Sequence, residues 1–141
     1  MKSGPRLDGL VRSVDDDTHE FCAIEAAPRL RGGISSTKWL HDKAKLGKVL
    51  RDMLSRLITL ADHDARTVRC LQVVGISTAG LTMQVSRMCH RGGYVSLLTS
   101  ETPRAVPRAV AQFQELLKFL VAFVQIKVPL PPTGRRPRHG D

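Results

Sequence analysis

The sequence predicts an α+β (mixed α/β) fold: one central sheet of about five strands and two main helices, in the order ββαβββα. Three observations carry this. Between Lys38 and Ala61 the apolar residues Leu46, Val49, Leu50, Met53, Leu54, Leu57, Ile58 and Ala61 recur in alternating steps of three and one, which is one face of an α-helix. Between Leu71 and Thr99 three short apolar runs are joined by glycine-bearing turns, the pattern of an antiparallel meander. From Ala109 to Val128 a second helical stretch is apolar on nearly all sides.

The elements follow in order. Residues 7–14 read as a short strand, ended by the polar cluster Asp15-Asp16-Asp17-Thr18-His19. Residues 20–27 read as a second strand that closes a hairpin, with Phe21, Ala23, Glu25 and Ala27 on one face. Pro28 and Gly32-Gly33 break the pattern, and Ser35, Ser36 and Thr37 are candidate caps for the long helix. Lys43, Lys45, Lys48, Arg51, Asp52 and Arg56 fall off its apolar stripe as read here. The meander strands are read at 71–76, 81–88 and 94–99, with turns at Thr78-Ala79-Gly80 and Arg91-Gly92-Gly93. The second helix is expected either in the core or against something outside the chain, a protein partner or a second copy. Residues 1–128 are read as one domain, and the Pro-rich basic stretch 129–141 as a disordered tail.

Composition narrows the function. The 141 residues carry 22 Lys/Arg against 13 Asp/Glu, a net charge of +9. The charge is uneven: three basic against six acidic residues up to Ala27, nineteen against seven beyond it. A basic body suggests a polyanionic partner, and nucleic acid is the first expectation. Aromatics are only 4%, which argues for phosphate contact over an extended base-stacking surface. Cys22, Cys70 and Cys89 form no CxxC pair and the five histidines show no ligand spacing, so no zinc site is expected. No apolar leader follows Met1, and the run Phe119–Val124 is too short to span a bilayer. The expectation is an intracellular protein, nuclear or cytoplasmic, not secreted and not in a membrane.

The chemistry-bearing pair is Asp8, at the start of the first strand, and Glu25, near the end of the second. Two carboxylates brought together by a hairpin beside backbone carbonyls make a hard-oxygen site suited to Mg²⁺ or Mn²⁺. Such an ion acidifies a bound water and offsets charge on a phosphate. Leu7-Asp8-Gly9, a hairpin, then Ala23-Ile24-Glu25-Ala26-Ala27 resembles the PD-(D/E)XK nuclease core. The stretch from Thr37 through Met53, with Leu71–Ile76, Gly80-Leu81 and Gly93-Tyr94-Val95, is also similar to uncharacterised fungal open reading frames with such a domain. The resemblance implies a truncated restriction-endonuclease-like core without the usual first helix and strand. It implies that Asp8 and Glu25 ligate Mg²⁺ and that a lysine two residues after the Glu acts on the attacking water.

That position holds Ala27. A lysine from the following helix would have to replace it, with Lys45 and Lys38 as candidates and Lys43 behind them. Lys48, Arg51 and Arg56 are the expected phosphate contacts on the basic helix. The expected function is therefore a partial, catalytically impaired nuclease-like domain, hydrolysing phosphodiesters if active. The alternative is a non-catalytic module that binds nucleic acid or a protein.

Overall fold

The computed structural model describes residues 7–13, 19–29 and 32–124, and its fold is α+β, one open mixed sheet with three helices. The strands are β1 (Gly9–Arg12), β2 (Glu20–Ala27), β3 (Gln72–Ala79), β4 (Thr82–Gly92), β5 (Val95–Ser100) and the short β6 (Arg104–Ala105). The helices are α1 (Thr37–Leu60), α2 (Ala65–Cys70) and α3 (Phe113–Val124), the last preceded by one 3-10 turn at Val110–Gln112. The expected tail at 129–141, the aspartate cluster 15–17 and the final residues of the expected helix 109–128 lie outside the described residues.

The sheet runs β1-β2-β3-β4-β5, and β6 pairs with the other half of β4. β1 and β2 form the expected hairpin, and β3, β4 and β5 form the expected meander. β2 and β3 are parallel. Parallel neighbours need a long crossover, which α1 supplies. The β3–β4 turn closes tightly on Gly80, whose φ of 58° suits a residue without Cβ.

Helix α1 begins where the Ser36 hydroxyl accepts the Trp39 amide at 3.3 Å. Its buried face is Trp39, Leu46, Val49, Leu50, Met53, Leu54 and Leu57, packed on Phe21, Ala23, Val73 and Met88. Contact is closest at Gly75: a Cβ there would lie 2.8 Å from Leu50 Cδ1 and 2.9 Å from Leu46 Cδ2. Glycine lets the helix settle against the sheet.

The opposite face is thinly covered. Cys22, Val74, Ile76, Met83 and Val85 form a second cluster, reached from α3 by Phe119. Burial pushes the Cys22 thiol pKa up. Phe113 is 57% exposed and Val124 78%, and Leu117, Leu120, Val121 and Phe123 also stand open. Burial in the core, one of the two placements expected for this helix, is not met by these side chains; the α-helix begins at Phe113 rather than Ala109, and Phe119 is its one described residue seated in a core cluster. Among the described residues no helix is long and apolar enough to cross a membrane.

Candidate functional site

The register builds the site. Gly9 pairs with Ile24 and Leu10 with Ala23, and just before that register Asp8 lies at the hairpin's end beside the Ile24–Ala26 stretch of β2. Asp8 lies just outside β1, and its side chain does what the strand no longer does there. Asp8 Oδ2 accepts the Ala26 amide at 2.7 Å, while the Asp8 amide donates to the Ile24 carbonyl at 3.1 Å.

Glu25 shares the face of Phe21 and Ala23, under α1. Lys45 reaches down from the helix and donates to both carboxylate oxygens, at 2.8 and 2.9 Å. The two side chains are 12% and 25% exposed, so the pair is partly withdrawn from water. Of the two lysines expected from sequence, Lys45 is therefore the one at the carboxylate. Lys38 bonds Asp42 at 3.1 Å, one helical turn along, and its side chain is largely exposed.

The three expected phosphate contacts separate. Arg56 Nη1 lies 3.6 Å from Glu20 Oε2, on the same flank of α1 as Lys45. Helical spacing puts Lys48 on the solvent crest and Arg51 on the other flank, with Gly47 and Ser55. They do not form one patch with Asp8 and Glu25. Lys43 also departs from expectation: it follows the spacing of buried Trp39, Leu46 and Leu50, and it is half-buried rather than on the polar side.

Two further residues complete a row. Glu25 pairs with Ser77 on β3, and Ser77 with Gln84 on β4. Glu25, Ser77 and Gln84 thus cross three strands on the α1 face. Gln84 Nε2 donates to the Glu101 carbonyl at 2.6 Å, but Gln84 Oε1 and Ser77 Oγ are buried without a partner among the described residues. Each such orphan costs about 1–3 kcal/mol. Sequence reading missed both, because Ser and Gln inside alternating strands carry no motif. The only signal was that β3 and β4 place polar residues on what is otherwise their buried face.

The donor set bears on a metal. Mg²⁺ commonly takes one or two protein carboxylates and keeps several waters. Asp8 retains a second oxygen, and Glu25 has lone pairs beyond those facing Lys45. By donor type alone, the two carboxylates suit one such ion. No cluster of three or more His, Cys, Asp or Glu suited to a metal occurs among the described residues. The neighbouring hollow, edged by Ser36, Trp39, Asp42 and Ala79, holds about 10 Å³, room for one water. A large substrate would have to lie across the surface where Asp8 is exposed.

No family model, curated protein or solved structure matches the chain.

Proposed function

We propose that the chain is a reduced PD-(D/E)XK-like domain whose site, if active, hydrolyses phosphodiesters of nucleic acid with Mg²⁺. One observation carries the reading: an ammonium from the long helix, Lys45, sits on the Glu25 carboxylate while the Asp8 carboxylate is held on the amide of the next residue, Ala26. This is the arrangement the resemblance asks for when the usual lysine position holds Ala27.

Asp8 and Glu25 would hold the ion, and the ion would supply an acidified water and charge neutralisation at the phosphate. Lys45 would orient that water and balance the charge of Glu25. The Ala26 amide fixes the Asp8 carboxylate at the strand end, one residue along β2 from Glu25.

A second reading is favoured by the same contacts. Glu25 is already neutralised by Lys45, and one Asp8 oxygen is already used. A domain in this state would bind phosphates through its basic body without cleaving them. Helix α3, with its open apolar side chains, would then serve a protein partner or a second copy. Sedimentation of the wild type beside Leu120→Glu tests that last point: a dimer lost in the variant supports it, and a monomer in both removes it.

Melting temperature measured against Mg²⁺ and Mn²⁺ tests the main reading. Stabilisation that rises with metal and is lost in Asp8→Ala/Glu25→Ala supports it. Cleavage of single- and double-stranded substrates, lost in Lys45→Met, completes it. No metal-dependent shift and no cleavage remove it.

A further inference from the structure

A second concave feature lies elsewhere. A groove of about 600 Å³ opens between the C-terminal half of α1, helix α2 and the β4–β5 hairpin. It is on the flank of α1 away from Lys45, so it is not part of the carboxylate site. Its apolar floor is Ile58 and Val68. Above the floor stand His63 from the α1–α2 loop, Arg69 from α2 and His90 from β4. None of their side chains makes a hydrogen bond or ion pair among the described residues, and no carboxylate is among the described residues that line the groove.

The backbone that presents His63 is unusual. Asp62 and His63 have φ of 50° and 55°, consecutive left-handed residues that reverse the chain between α1 and α2. Side chains with a Cβ occupy this region at a cost, and the cost is tolerated most often where function needs the geometry. At the rim, the Tyr94 ring is fully exposed. It is not packed against any core cluster among the described residues.

We infer that this groove is a nucleotide site, taking the phosphate of a nucleoside monophosphate unit on Arg69, His63 and His90 and its base on Tyr94. The guanidinium matches phosphate oxygens in bidentate fashion, and imidazoles add donors. The Ser96 hydroxyl lines the same space and can bond sugar or phosphate oxygens, while Thr59 Oγ1, which donates to the Ser55 carbonyl at 3.1 Å, can accept from a sugar hydroxyl. The volume is that of a small-molecule site. A lone exposed ring offers stacking to one base, in keeping with a chain that has a single tyrosine. The unit could be a free mononucleotide or the phosphorylated end of a single strand.

The experiment is a binding titration of the full chain with inorganic phosphate, a nucleoside 5′-monophosphate, and a short single-stranded oligonucleotide with and without a 5′-phosphate. Saturable binding is expected, tighter for the nucleotide than for inorganic phosphate. A preference for the phosphorylated strand over the mononucleotide identifies the strand end as ligand, and the reverse identifies the free nucleotide. Arg69→Gln/His90→Gln should weaken binding about tenfold or more, as expected when charged hydrogen bonds are removed. Arg104→Gln, on β6 outside the groove, should leave it within about twofold, the scale of a long-range, salt-screened charge. Tyr94→Ala should reduce affinity for the nucleotide and not for inorganic phosphate. Asp8→Ala/Glu25→Ala should change none of this, so the groove and the carboxylate site stand or fall separately. Absence of saturable binding, equal losses in groove and control variants, or a nucleotide bound no better than inorganic phosphate would overturn the assignment.

Discussion

The two faces of the sheet are built to different standards. Under α1 the packing is dense enough that Gly75 has no room for a methyl group, and Leu50 is wholly enclosed. Under α3 the sheet keeps its own apolar cluster, but the helix lends it one side chain, Phe119. A 24-residue amphipathic helix with one buried stripe holds its position through many small contacts. A 12-residue helix with one polar side, at Gln114, Glu115 and Lys118, leaves most of its apolar side chains open instead of pressed on the sheet. Stability should therefore concentrate on the α1 side, which is also the side that carries both candidate sites.

Truncation separates the faces most sharply. Leu50→Ala should cost about 2–5 kcal/mol, because it opens a cavity that packed neighbours cannot close. Phe119→Ala should cost about 1 kcal/mol, since that ring is only partly buried. Urea unfolding monitored by circular dichroism measures both. Similar losses would mean that α3 is structural and that the contrast between the faces is false. Gly75→Ala sharpens it from the other direction. The added methyl meets leucine ends that are themselves enclosed, and overpacking of this kind costs about 1–3 kcal/mol.

Lys45→Met probes the polar part of the dense face. It leaves the Glu25 carboxylate partly buried without its partner, at a cost of about 1–3 kcal/mol. Glu25→Gln in the same background should recover part of that loss, because the neutral amide needs no counter-charge. The double-mutant cycle reads the coupling directly. A Lys45→Met variant as stable as the wild type would mean the pair contributes nothing and is free to open for a metal.

What sequence could reveal follows the same division. The α1 stripe, the β2 span at 20–27 and the meander were legible because one period dominates each of them. The shared face of Glu25 with Phe21 and Ala23 was equally legible, since it follows from alternation alone. The parallel pairing of β2 with β3 was not, because register between distant strands depends on how α1 packs back. Lys43 was misplaced because its long stem lets an ammonium occupy a helix face that reads as apolar. Ser77 and Gln84 enter the row only once β2, β3 and β4 are aligned. Helix α2 was missed because its six residues carry no full apolar period, although Asp64 before Ala65 is a capping residue of the usual kind.

The cap of α2 yields the smallest effect and an internal check on the groove wall. Asp64 Oδ2 accepts the Thr67 amide at 2.8 Å. The backbone hydrogen bond from Thr67, with a side-chain bond from the same residue, holds the carboxyl pKa below its usual value. A lowered carboxyl pKa adds stability that is present above the unfolded-state value and disappears as pH falls through the folded one. The melting temperature of the wild type should accordingly fall between about pH 5 and pH 2 in part through Asp64. Asp64→Asn keeps an acceptor at the cap and removes the titration. Its melting temperature should match the wild type closely at neutral pH and decline less steeply in acid. Identical acid profiles would mean that α2 is not held by this cap. Arg69, which that short helix carries to the groove, would then have to be positioned by the packing of Val68 alone.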